Sequence, residues 1–219
     1  INGDVSKYDS EGWHEAVSSK IDTAWTIAVH GEDILVGAMK GGYVSYSDDG
    51  GETFKLLEDT PTVDGKITVA FDTYYDTNNI VYIAVEDWTT QPTSGGIYRW
   101  VIGTSDKWED TGADHDLGYT GLVLDRPAPA NPKTSAATGG VLYASFVGER
   151  CEDSVSPDCD TWSCWYTGVA RSLNPAKTIE CQQCVEWDYL IEGLPNPDDY
   201  EVGFEAAPKA LKICGCLTA

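Results

Sequence analysis

Apolar positions along this chain recur in short bursts and seldom with helical spacing. Runs rich in Val, Ile, Tyr and Trp alternate with Gly, Asp, Asn, Pro and Thr. Such runs, bounded by turn formers, predict strands, and the chain reads as all-β. The runs also repeat in a fixed order. A short apolar strand opens at about residue 26, and again at about 67, 120 and 201. A second strand with small residues follows: "ILVGA", "IVYIA", "VLYAS" and "LKICG". Next comes a glycine-led third strand, "GGYVSYS", "GGIYRWV" or "TGVARSL". The unit closes on an aromatic residue, Phe54, Trp108 or Trp187. Residues 12–17, "GWHEAV", match the closing strand, with Trp13 in the aromatic slot.

Four short antiparallel strands in a unit of about 40 residues, stretched by insertions, predict blades of a β-propeller. A β-sandwich could use similar strands, but the recurring order of features favours blades. The expected division is an outer strand of a preceding blade (1–23), then blades at 24–66, 67–119 and 120–199. The third blade carries a Cys-rich insertion at 150–166, and the first strands of a further blade occupy 200–219. Propellers close with about four to eight blades. The chain therefore reads as a fragment of a larger propeller or as a small, incomplete ring, and the fragment is favoured.

One turn carries a motif. Ser47, Asp49, Gly51, Thr53 and Phe54 fit S-x-D-x-G-x-T-[WF]. This stretch resembles the Asp-box of BNR-repeat propellers. The Asp side chain is expected to accept hydrogen bonds from its own turn, as in Asx turns. The glycine supplies backbone freedom, and Phe54 packs as an anchor. "GTSDKW" (103–108) keeps an acid and the Trp but lacks the glycine, while Ser172 and Asn174 begin a second copy that is interrupted before Trp187. The phrasing looks most like prokaryotic surface-layer-like and photosystem-assembly-factor-like propellers. The resemblance spans catalysts, receptors and scaffolds, so it does not choose a function.

Charge narrows the choice. Fourteen Lys and Arg against 36 Asp and Glu leave −22, which repels nucleic acid and anionic membrane. No apolar run is long enough to cross a bilayer. The sequence opens on Ile1 without a signal-peptide pattern, so a removed signal or a piece of a longer protein is expected. All seven cysteines, Cys151, Cys159, Cys164, Cys181, Cys184, Cys214 and Cys216, follow residue 150. Clustered cysteines in loop-rich sequence predict disulfides and an extracellular or cell-surface setting. A zinc site built on C-x-x-C and C-x-C is the alternative.

Candidate chemistry is sparse. A sialidase-like site needs an arginine triad. Arg99 and Arg171 hold comparable third-strand positions, but Ser45 fills the matching slot of the first blade; Arg126 and Arg150 complete the set. His14, His30 and His115 are solitary in sequence. Asp110, Asp114 and Asp116 form a candidate Ca²⁺ loop; no other cofactor is indicated. Trp88, Trp162 and Trp165 lie in loops that could stack on sugars. The expected function is a non-enzymatic, prokaryotic, extracellular or cell-surface scaffold that self-associates or binds other surface proteins. The alternatives are a glycan-binding or glycan-hydrolysing propeller and a protein-binding assembly module.

Overall fold

A computed structural model describes residues 3–61, 64–87, 94–125, 140–149, 165–176 and 185–190. Its strands are β1 (Asp4–Val5), β2 (Tyr8–Asp9), β3 (Gly12–Trp13), β4 (Val17–Ser18), β5 (Ala24–His30), β6 (Asp33–Ala38), β7 (Val44–Ser47), β8 (Lys55–Leu56) and β9 (Lys66–Phe71). A single helical turn, α1 (Tyr75–Asn78), precedes β10 (Ile80–Asp87), β11 (Ser94–Val101), β12 (Glu109–Asp110), β13 (Leu117–Asp125), β14 (Val141–Glu149), β15 (Trp165–Ser172) and β16 (Asp188–Leu190).

Three antiparallel meanders result: β5-β6-β7-β8, β9-β10-β11-β12 and β13-β14-β15-β16, each in chain order. They stack face to face as blades. β5 lies against β9, and β13 against both β10 and β9. The fold is all-β with four-stranded antiparallel blades, as the repeating pattern predicts.

Strand alternation explains the stacking. Side chains on a strand point to opposite faces in turn. On β10 both sets are apolar, and both are buried. Val81, Ile83 and Val85 join Leu35, Val44, Tyr46 and Leu57 of the first blade. Ile80, Tyr82 and Ala84 join Leu117, Tyr119, Leu142 and Phe146 of the third. The middle blade is thus apolar on two faces because it has two neighbours.

Small residues let the inner strands meet. Thr26 Oγ1 of β5 donates to the Ile67 carbonyl of β9 at 2.7 Å and accepts Val69 N at 3.3 Å. A β-carbon at Gly37 would collide with that same carbonyl oxygen. This is why the second strand of the first blade needs glycine there.

The N-terminal segment departs from expectation. It holds two short ladders, β1 with β4 and β2 with β3, where one outer strand is predicted. Val5 and Val17 pack on Ile34, Val36 and Phe54 of the first blade. Trp13 does not enter the aromatic slot. It sits on the β2–β3 hairpin, 75% exposed, because that hairpin projects away from the cluster that Val5, Val17 and Ile21 form.

Candidate functional site

The 47–54 turn is held by its own side chains. Ser47 Oγ donates to Asp49 Oδ1 at 2.7 Å and accepts Gly51 N at 3.0 Å. Asp49 Oδ1 accepts Thr53 N at 2.9 Å, and Asp49 Oδ2 accepts the Thr53 hydroxyl at 2.5 Å. Gly50 and Gly51 have φ of 72° and 90°, where a side chain is strained. The bonds from Thr53 and Ser47 hold the Asp49 carboxyl down at a pKa of about 2. The turn delivers Phe54, 3% exposed, into the cluster with Ile34 and Val36. Asp48 points elsewhere and pairs with Lys55 at 3.0 Å.

The third blade repeats this scheme. Ser172 Oγ lies 3.3 Å from Asn174 Oδ1 and 3.4 Å from Asn174 N. Asn174 Oδ1 accepts Glu186 N at 3.1 Å, as Asp49 accepts Thr53 N, although twelve residues now separate the pair. Trp187 follows directly, and its indole N–H donates to the Thr111 carbonyl at 3.1 Å. In the second blade, Trp108 Nε1 donates to the Asp59 carbonyl at 3.1 Å, and Asp59 Oδ2 accepts Trp108 N at 2.9 Å. Asp59 and Thr111 each lie just past the last strand of the preceding blade. Each Trp therefore reaches back to the exit of its neighbour.

The two arginines at matched positions each pair with a carboxylate on the neighbouring strand of their own blade. Arg99 and Glu109 are cross-strand partners on β11 and β12, with Nε to Oε2 at 2.8 Å. Arg171 and Asp188 are the same on β15 and β16, at 2.6 Å. Arg99 is 4% exposed and its Nη1 also reaches the Pro175 carbonyl at 3.4 Å. Neither guanidinium is presented as a carboxylate clamp.

Buried tyrosine–carboxylate contacts are a feature the sequence reading missed. Tyr46 Oη donates to Asp33 Oδ1 and lies 3.3 Å from Tyr75 Oη. Burial, and then the Asp33 bond, push the Tyr46 phenol well above its ordinary range. Tyr82 is pushed the same way by burial and by Asp72. A phenol that resists ionisation and faces no solvent is a poor nucleophile. Only an alternation count along β7 and β10 could have placed these hydroxyls inside.

The acids of the 110–116 loop organise the loop itself. Asp110 accepts Gly112 N at 2.8 Å and pairs with His115 Nε2 at 2.8 Å, while Asp114 accepts Asp116 N at 3.0 Å. Among the described residues no group of three or more His, Cys, Asp or Glu is arranged to hold a metal. Every histidine has an aspartate partner: His14 with Asp9, His30 with Asp76 and His115 with Asp110. All seven cysteines, Trp88, Trp162, Arg126 and Arg150 lie outside the described residues, as does the side chain of Trp165.

The exposed aromatic chemistry gathers near the N-terminus. Tyr8 and Trp13 are 66% and 75% exposed, with ring centroids 5.1 Å apart and planes tilted by 57°. The hairpin beneath them is well tied. Asp9 Oδ1 accepts Glu11 N at 2.8 Å, Lys7 O accepts His14 N at 2.9 Å, and Ser6 Oγ donates to His14 O at 2.7 Å. Trp25 and Tyr43 are also about half exposed, and Lys66 Nζ sits 5.0 Å from the Trp25 ring.

No family model matches the chain, and no curated protein does. Among solved structures it is similar to the GH74 enzyme of Niastella koreensis, with a TM-score of 0.44 and 17% identity. The match covers 77% of this chain and 22% of that one, so the chain spans about a fifth of the enzyme. The expectation of a protein without enzymatic activity is thereby corrected: the matched structure is that of an enzyme. At this identity and TM-score, nothing of that enzyme's chemistry is carried over. No helix among the described residues is long and apolar enough to cross a membrane.

Proposed function

We propose that the chain is part of a glycan-engaging β-propeller protein, and that the β2–β3 hairpin contacts neutral sugar. The observation that carries this reading is the Tyr8–Trp13 pair, two large rings held side by side in water. Aromatic rings offer wide, apolar faces at low conformational cost, which suits the C–H faces of sugar rings. The hairpin's internal hydrogen bonds order the rings before any ligand arrives, so little entropy is lost on binding. A charge of −22 leaves neutral glycans unaffected and repels acidic ones. The extracellular setting and the disulfides expected from the seven cysteines belong to the same reading.

Titrating tryptophan fluorescence with neutral gluco-, manno-, xylo- and galacto-oligosaccharides tests it, with uronic acid oligomers as the acidic comparison. At least one neutral series binds, and Trp13→Ala weakens it about tenfold or more, equivalent to about 1.4 kcal/mol. Equal affinity of the Trp13→Ala variant would remove the hairpin from the reading. No response to any neutral series would remove the reading itself. Reducing-end release in the same mixtures reports whether binding leads to hydrolysis.

A second reading, a self-associating surface scaffold, draws on the exposed apolar residues Ile27 and Val29 of β5. Sedimentation over a concentration series tests it: association that Ile27→Asp abolishes supports it, and monomers at every concentration overturn it.

A further inference from the structure

A second set of exposed rings stands at the other end of the first blade. β7 starts just after Tyr43 and runs into the 47–54 turn. The β2–β3 hairpin lies beside that turn, with Lys7 Nζ 4.0 Å from where a β-carbon at Gly50 would sit. Tyr43 and Trp25 lie at the opposite end, where β6 gives way to β7 and β5 begins. They are 48% and 47% exposed, whereas Trp100 and Trp108 of the second blade are buried.

Both rings are held in place by the second blade. Trp25 has no cross-strand partner, because Ala24 pairs with Ala38 and Thr26 with Gly37. A bulge of this kind re-aims a side chain. Here it brings the indole to Lys66, whose Nζ is 5.0 Å from the ring centre. The third blade has a bulge in its first strand as well, and there Thr120 turns to Ser145 Oγ at 2.9 Å. One residue past Trp25 and Lys66, Thr26 Oγ1 donates to the Ile67 carbonyl at 2.7 Å and ties the two strands together. The Tyr43 ring lies against Gly41, which has φ of 81° and no room for a β-carbon. Gly41 N donates to Asp64 Oδ1, two residues before Lys66. Lys66 in turn pairs with Glu86, its cross-strand partner, Nζ to Oε2 at 3.0 Å.

We propose that Trp25, Tyr43, Lys66 and Glu86 form a second contact site for neutral sugar. The inference rests on the glycan reading above and adds a site to it. An exposed ring face beside an ammonium and a carboxylate suits a ligand with an apolar face and a rim of hydroxyls. A hydroxyl both donates and accepts, so one ligand can donate to Glu86 and accept from Lys66. A wholly apolar ligand would strip water from that ion pair and return no hydrogen bonds. An acidic ligand meets a charge of −22. The ties to the second blade fix both rings before a ligand arrives, which lowers the entropy lost on binding.

Fluorine resonances of the fluorotryptophan-labelled chain test this, with Trp13 and Trp25 assigned by Trp13→Phe and Trp25→Phe. The probes are the neutral gluco-, manno-, xylo- and galacto-trisaccharides. With at least one of them the Trp25 signal moves, and its midpoint is unchanged in Trp13→Ala. Glu86→Gln raises that midpoint about fivefold and leaves the midpoint at Trp13 unchanged. Because Glu86→Gln also opens the ion pair, Tyr43→Ala serves as a second variant and raises the Trp25 midpoint about twofold or more. A Trp25 signal that stays still while that of Trp13 moves overturns this inference and leaves the hairpin reading standing. Movement at Trp25 alone upholds the inference and removes the hairpin from the reading. Silence at both overturns both, and a Trp25 midpoint unmoved by either variant overturns the assigned site.

Discussion

Two turns at the same place in two blades use one hydrogen-bond scheme with different chemistry. At residues 47–54 a serine, an aspartate and two left-handed glycines close the turn in eight residues. At residues 172–187 a serine and an asparagine make the corresponding bonds around a longer excursion. Both set an aromatic residue on the leading face of their blade, Phe54 in one and Trp187 in the other. The difference shows what the turn is for. A negative charge is dispensable, and so is a short loop. The side-chain oxygen that receives the amide just before the aromatic is kept. The second blade reaches the same end by another route, because Asp59 of the preceding exit receives the amide of Trp108.

The largest effect lies in the anchors themselves. Phe54 is 3% exposed and Trp108 7%, so Phe54→Ala and Trp108→Ala each cost about 3–5 kcal/mol. Trp187 is only partly buried, and Trp187→Ala costs less than either. Trp13→Ala leaves stability unchanged. Urea unfolding ranks the four; a cost at Trp13 equal to that at Trp108 would break the distinction between anchor and exposed hairpin.

A smaller effect separates the serines. Ser47 Oγ receives the amides of Gly51 and Asp49, whereas among the described residues Ser172 Oγ receives that of Asn174. Replacing a buried acceptor leaves its donors unpaired, at about 1–3 kcal/mol. Ser47→Ala therefore falls toward the upper end of that range and Ser172→Ala toward the lower. Matched denaturant midpoints sharpen the comparison, and a reversed order would count against it.

The smallest effect is electrostatic, and it has a sign. The Asp49 carboxyl titrates at about 2 in the folded protein, against 3.8 ordinarily. A depressed carboxyl contributes stability that is fully present above pH of about 4 and is lost as pH falls toward 2. Asp49→Asn gives the first turn the chemistry of the third blade's and removes this part of the acid dependence. Unfolding midpoints measured from pH 5 down to pH 2 show it as a shallower acid limb than the unchanged protein's. Parallel limbs would mean that Thr53 and Ser47 do not hold the charge in solution.

Much of the architecture was legible because strands announce themselves. The unbroken apolar run in "IVYIAVED" and the glycine-led "GGIYRW" mark β10 and β11 as neighbours in one sheet, and the register pairs Val85 with Gly96. Phe54, Trp108 and Trp187 were found by position in the repeat, since each follows a third strand and a polar turn. Trp13 misled for the same reason. "GWHEAV" looks like a closing strand, but two short ladders and the tight turn at Gly12, φ 110°, send its ring outward. Long-range partners were invisible. Nothing near Trp108 in sequence points to Asp59, nor from Trp187 to Thr111, because these bonds join residues 49 and 76 positions apart in neighbouring blades. The histidines looked solitary because the partner of His30 lies in the next blade, at Asp76. Exposed rings could not be told from packed ones until the faces were assigned.

Hydrogen exchange of the tryptophan indole N–H groups tests the stacking of blades most directly. Trp108 and Trp187 donate to the carbonyls of Asp59 and Thr111 across blade boundaries, whereas Trp13 stands in water. Assigned indole resonances should show slow exchange at Trp108 and Trp187 and rapid exchange at Trp13. Exchange at Trp108 and Trp187 as rapid as at Trp13 would mean that the blades are not joined through these residues.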